Sequence, residues 1–100
     1  MILMNISELN IGMKSVNVKG KILEVLEPRK VASRFGNKLN LVSTAVLSDK
    51  SGKIYLNLWN DQIEMVKLND IVTVENGYIT EYCGVKQINT GKQGTLKVKP

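Results

Sequence analysis

The 100-residue chain contains no histidine and a single cysteine, Cys83. A tetrahedral zinc site draws its ligands mainly from those two residue types, so none is expected. Histidine-based triads and histidine acid–base chemistry are excluded for the same reason. One cysteine cannot form an internal disulfide, and it reads as an exposed or half-packed thiol in a chain of the reducing cytoplasm. No apolar run approaches the roughly 18 residues that span a bilayer, so no membrane partner is expected. The stretch Met1–Asn5 lacks the basic and long apolar regions of a secretory leader. No G-x-x-x-x-G-K-[ST] motif is present. The nine acids are scattered at turns and strand edges, and Glu24 and Glu27, three apart on a strand, point to opposite faces. No catalytic residue, metal or cofactor is therefore expected, and the chain reads as a binding protein rather than an enzyme.

Fourteen Lys+Arg against nine Asp+Glu give a formal net charge of +5, an excess that favours phosphate-bearing or anionic partners without choosing among them. The length suits one domain over residues 1–100, with hydrophobic residues at 43%, enough for one core.

Aromatic residues are scarce, and their placement carries information. The stretch Ile54-Tyr55-Leu56-Asn57-Leu58-Trp59 alternates strictly, placing Ile54, Leu56 and Leu58 on one face of a strand. The other face holds Tyr55, Asn57 and the only tryptophan. A large aromatic on the polar face of a strand calls for a ligand.

Residues 1–13 form a lead-in in which Ile6-Ser7-Glu8-Leu9 makes one helical turn with Ile6 and Leu9 inward. Ser15 to Glu27 is a strand bent after Gly20, where apolar residues change parity, and Pro28 ends it. Residues 29–40 are expected as a basic loop between the first and second strands. Leu41 to Ser48, with Ala45 and Leu47 inward, and Lys53 to Trp59 form the next two strands, joined by Asp49-Lys50-Ser51-Gly52. Asp61 and Glu64 have the spacing of a capping box, predicting about two turns of helix with Ile63 and Val66 plugging one end of the core. Ile71 to Tyr82 is the fourth strand. A bulge near Gly77 would keep Val72 and Val74 inward while turning Tyr78 and Tyr82 outward. Cys83-Gly84 is a tight turn, Val85 to Asn89 the fifth strand, and Thr95 to Lys99 an edge strand.

Five strands with a short helix between the third and fourth is the order of the oligonucleotide/oligosaccharide-binding barrel, the OB-fold. The fold class expected is all-β, a five-stranded OB-fold barrel. On such a barrel, aromatics offer sequence-tolerant stacking to unpaired bases, at about 1–3 kcal/mol per base. Trp59, Tyr78 and Tyr82 are candidates for that role. Tyr55 is either a fourth stacking residue or an ordinary strand tyrosine. Asn57, Gln87 and Asn89 are candidates for hydrogen bonds to base edges, with Thr44, Val46 and Lys53 completing the floor. The cations Arg29, Lys30, Arg34 and Lys38 cluster in the basic loop and either face phosphates or are simply solvated. Phe35 either stacks or folds onto the barrel mouth. Lys53, Lys86 and Lys92 lie on or beside the platform. Lys14, Lys19, Lys21, Lys50, Lys67, Lys97 and Lys99 read as scattered and solvated.

Several short segments, in this order, resemble the archaeal single-stranded DNA-binding proteins with one OB-fold and the related single-OB proteins of eukaryotic DNA-damage sensing. They are Gly12-Met13-Lys14-Ser15-Val16-Asn17-Val18, Leu23-Glu24, Asp49-Lys50-Ser51-Gly52, Leu56-Asn57-Leu58-Trp59, Glu75-Asn76-Gly77-Tyr78, Tyr82-Cys83-Gly84 and Asn89-Thr90-Gly91. The resemblance implies that Trp59, Tyr78 and Tyr82 stack on bases. Tyr82 stands where that family usually has Phe. Cys83 stands where a basic or small residue is common, so no phosphate contact is expected from it. The implied activity is sequence-tolerant binding of single-stranded DNA in replication, repair or recombination. The expected form is a monomer in the cytoplasm, associated with the nucleoid and meeting replication and repair proteins. Archaeal members often carry a flexible tail that recruits partners. The sequence to Pro100 shows none, so tail-mediated recruitment is not expected. Two other readings stay open: an RNA-binding OB domain, and an OB subunit of a multi-protein assembly whose aromatic face is covered by a protein.

Overall fold

Alternation of apolar and polar residues dictates strands, and strands that bury one face must find partners for it. The computed structural model describes residues 2–32, 39–91 and 94–99. After a 3₁₀ turn at Ile6–Glu8 come seven strands and one short helix: β1 Val16–Val25, β2 Arg29–Ala32, β3 Leu39–Asp49, β4 Gly52–Trp59, α1 Gln62–Met65, β5 Ile71–Tyr82, β6 Val85–Asn89 and β7 Thr95–Lys99. The pairings run β1–β3–β4–β6–β5 and return from β5 to β1, so five strands close into a ring. The β4–β6 pairing is parallel and the others are antiparallel. This is the OB-fold barrel expected from the strand order. β2 and β7 lie outside the ring, β2 on β3 and β7 on the first half of β5.

The barrel is filled by the alternating residues. Val16, Val18 and Ile22 of β1, Ala45 and Leu47 of β3, Ile54, Leu56 and Leu58 of β4, Val72, Val74 and Ile79 of β5 and Ile88 of β6 form one buried cluster, with Leu96 of β7. Each such Val, Leu or Ile contributes about 1.5–3 kcal/mol on burial. Ile6 and Leu9 close one end of this core, and Val66 is buried in it with Ile63 packed alongside.

The bend in β1 is a bulge at Leu23, because Ile22 pairs with Leu47 and Glu24 with Val46. The parity switch in β5 falls at Asn76. Val18 pairs with Val74 and Val16 with Gly77, so β5 spends one extra residue there, and Asn76 takes φ 58°. Gly77 then turns inward where no side chain fits: a Cβ would stand 2.8 Å from the Asn89 carbonyl oxygen and 2.9 Å from Val74 Cγ1.

Two expectations are corrected. Residues 29–40 are not a loop throughout. Arg29 to Ala32 pair with Val42 to Leu39 as a two-stranded arm. This arm leaves the barrel ring, so no core imposes alternation on it, and the sequence shows none. The helix is one turn, not two, and Asp61 does not cap it: Asp61 is itself helical (φ −60°, ψ −24°) and Val66 is already extended. The turn is set by Asn60 instead, which takes φ 51°. Its backbone N–H donates to the Leu41 carbonyl, and its side-chain oxygen accepts from the Leu41 N–H. The Trp59 N–H donates to Gln62 Oε1, using the first residue of α1 as the anchor that Asp61 was expected to supply.

Candidate functional site

Strand registers sort the outward side chains of β3, β4, β6 and β5 into rows. One row holds Arg29, Val42 and Trp59; Val42 is 1% exposed although it is not part of the barrel core. The next holds Thr44, Asn57, Asn89 and Tyr78, and the one after it Val46, Tyr55, Gln87 and Thr80. Lys53 lies one step beyond Tyr55, opposite Ser48, and Tyr82 pairs with Val85 at the hairpin end. The rows bring Trp59, Tyr55, Tyr78 and Tyr82 onto one sheet surface.

The centre of that surface is a closed amide network. The Thr44 hydroxyl donates to Asn57 Oδ1 at 3.3 Å. Asn57 Nδ2 donates to Gln87 Oε1 at 2.9 Å and to Asn89 Oδ1 at 3.0 Å. Asn89 Nδ2 donates onward to the Thr80 hydroxyl at 3.0 Å. Asn57 and Asn89 are only 7% and 4% exposed. Buried polar groups must be paired, and these pair with one another across four strands. Among the described residues no buried side-chain nitrogen or oxygen lacks a partner. Asn57 and Asn89 thus form the floor between the aromatics, while Gln87 sits at the network's edge and is half-buried.

Two depressions flank this floor. One, about 400 Å³, is lined by Trp59, Tyr78, Gln62, Thr90 and Gly91 among others. Gly91 has φ 67°, and a Cβ there would lie 2.8 Å from Tyr78 Cε1, so the Tyr78 ring rests directly over its backbone. Gln62 Nε2 donates to the Thr90 hydroxyl at 2.7 Å, tying the turn after Trp59 to the end of β6. The other depression, about 670 Å³, lies around Tyr55 and Val46, with Leu23, Lys53 and Val85 at its walls. Trp59 is 36% exposed, Tyr55 and Tyr78 are 37%, and Tyr82 is 64%. Each of these aromatic residues thus keeps a third or more of its surface open, room on which a base can stack. Tyr82 is presented by a two-residue turn in which Cys83 (φ 53°) and Gly84 (φ 79°) are both left-handed.

The cations divide. Arg29 joins the Trp59 row, and Lys53 the Tyr55 depression. Lys30 pairs with Leu41 and so lies on the other face of the arm. Lys86 has the inward parity of Ile88 and lines the Tyr55 depression, but its ammonium is engaged there, donating to the Leu9 carbonyl at 2.9 Å. Arg34, Phe35, Lys38 and Lys92 lie outside the described residues. Sequence reasoning missed the buried state of Asn57 and Asn89. The available signal was an amide at an outward position on each of two strands whose neighbours in phase are aromatic or amide residues.

A model of the family described as single-stranded DNA-binding protein Ssb-like, OB fold, matches residues 5–98. The single-stranded DNA-binding protein Ssb of Saccharolobus solfataricus is 31% identical over 88 residues, which are 88% of this chain and 58% of that protein. The chain therefore spans less than two thirds of that relative's length. Among solved structures, the replication factor A related protein of Methanobacterium thermoautotrophicum matches with a TM-score of 0.78 at 20% identity, covering 98% of this chain and 91% of the other. The second OB-fold domain of replication protein A from Methanococcus maripaludis matches with a TM-score of 0.78 at 21% identity, covering 97% and 94%. These two likenesses establish the fold.

Proposed function

Because the chain belongs to the family of Ssb-like single-stranded DNA-binding proteins with an OB fold, we propose that it binds single-stranded DNA without sequence preference, as a monomer. Trp59, Tyr78 and Tyr82 stack on bases, with Tyr55 as a further platform. Asn57 and Asn89 serve as a rigid floor, and Gln87, at its open edge, is the amide placed to meet a base edge. Arg29 and Lys53 hold phosphates. The observation that carries this reading is the shared depression of Trp59 and Tyr78, two half-exposed rings at the border of a fully paired amide floor. Stacking is tolerant of sequence because every base has a π-face. Single strands are exposed during replication, repair and recombination, and the protein acts there, at the nucleoid, beside the proteins of those processes.

Fluorescence anisotropy with a labelled oligo-dT strand tests the proposal. Trp59→Ala and Tyr78→Ala are each expected to lose about 1–3 kcal/mol of binding while keeping a cooperative thermal transition. Affinity should fall with salt at a log–log slope of about −0.7 per phosphate contacted. Unchanged affinity in both variants would overturn the assignment. A matched RNA strand that outcompetes DNA would shift the activity to RNA, and stable self-association without oligo-dT binding would shift it to protein assembly.

A further inference from the structure

Lysines far apart in the sequence meet on the side of the barrel away from the aromatic surface. In the ring β1–β3–β4–β6–β5, the β1–β5 pair lies across from β4, and β7 extends it. The registers there make two rows: Lys19 beside Thr73 beside Lys97, and Lys21 beside Ile71 beside Lys99. All four lysines are exposed. Two residues along a strand span about 6.7 Å, and two strands across span about 9.6 Å, so the four ammonium groups arise from one small rectangle. Lys50 adds a fifth, because Lys19, Lys21 and Lys50 line one depression of about 420 Å³ beside Leu3, Met4 and Asn5. Three acids belong to this region. One is Asp70, beside Ile71; the Asp70 carboxylate accepts from the Lys67 N–H. Glu75 pairs with Lys97 at 3.0 Å. Asp49 also lines the depression, with its carboxylate taken up by the Ile6, Ser51 and Gly52 N–H groups. No aromatic residue occurs in either row.

We propose that this β1–β5–β7 lysine face binds the phosphate backbone of duplex DNA. A surface with charge and no stacking groups would leave the bases of a single strand in water. A duplex keeps its bases stacked and presents phosphates alone. It also carries one charge per about 1.7 Å of axis against about 3.4 Å for each strand, so a purely electrostatic face gains more from it. Beyond the single-strand activity of the other side, this gives the protein a place to rest against the duplex that adjoins an exposed strand.

The test is anisotropy with a short blunt duplex at low salt, run beside oligo-dT. Lys19→Gln/Lys21→Gln is compared with Lys14→Gln/Lys67→Gln, which removes the same charge elsewhere. The face variant is expected to bind duplex at least roughly five-fold more weakly than the control pair, with its salt slope reduced by about 0.9 per phosphate lost, and to keep oligo-dT affinity within about two-fold. Lys99→Gln, on a different strand, should weaken duplex binding in the same direction. Trp59→Ala should leave duplex binding unchanged, which separates this site from the stacking surface. Equal duplex affinity in the face and control variants, or no duplex binding by the parent protein at low salt, would overturn the proposal whatever the outcome with oligo-dT.

Discussion

Asn57 Nδ2 donates to Asn89 Oδ1 at 3.0 Å, joining the outward faces of the parallel strands β4 and β6 beneath the aromatic rings. Each amide is buried, and each is satisfied by the other side chains of the network. Removing Asn57 therefore strands Thr44, Gln87 and Asn89 together. Asn57→Ala should cost about 1–3 kcal/mol, seen as a fall in melting temperature of about 4–8 °C per kcal/mol. A variant that melts with the parent protein would show that the network is dispensable.

Gly91 places the Tyr78 ring. Gly91→Ala adds a Cβ within 2.8 Å of Tyr78 Cε1 at a residue with φ 67°. The ring must shift and the turn is strained, so oligo-dT affinity should fall together with stability. Gly84→Ala meets nothing within 4 Å yet has φ 79°, so it should cost stability through strain alone and reduce affinity less. Titration of both variants alongside their melts separates the two effects.

Tyr82 is the most exposed of the three tyrosines. Tyr82→Phe should retain oligo-dT affinity, because the stacking face survives, and Tyr82→Ala should lose about 1–3 kcal/mol. Loss in the Phe variant would mean that the hydroxyl, not the ring, makes the contact.

Asp49 gives the fold an acid-sensitive tie. Burial pushes its carboxyl upward, but hydrogen bonds from the Ser51 hydroxyl and from the Ile6, Ser51 and Gly52 N–H groups outweigh that and hold it below the ordinary value of 3.8. A carboxyl depressed in the folded state stabilises above its unfolded pKa and loses that contribution as pH falls through the folded one. Melting temperature should drop as pH is lowered from about 5 toward 3. Asp49→Asn should be less stable at neutral pH and show a shallower drop across that window.

Much of the barrel was legible because its strands bury one face. The alternation of Ile54 to Trp59 is visible without a partner, and the parity change between Val74 and Tyr78 marks the bulge in β5. Features outside that logic were hidden. Arg29–Ala32 has no core to face, so its pairing with β3 leaves no periodic trace. The spacing of Asp61 and Glu64 suggested a cap, but Asn60, pinned to Leu41, sets the turn first. The lysine rectangle depends on register between β1, β5 and β7, strands that are distant from one another along the chain. Single lysines in a sequence carry no sign of that register. The aromatic trio was readable because each ring breaks the rule that outward strand positions are polar. The fact that Asn57 and Asn89 hold each other required the parallel β4–β6 contact.

The central claim is that Trp59 is a platform for an unpaired base. As the only tryptophan in the chain, it reports on itself. Titrating the protein with oligo-dT while following intrinsic fluorescence should quench that emission in a saturable way, with a midpoint that moves to higher DNA concentration as salt is added. Saturable binding by anisotropy with no change in tryptophan emission would place the strand elsewhere and contradict the account.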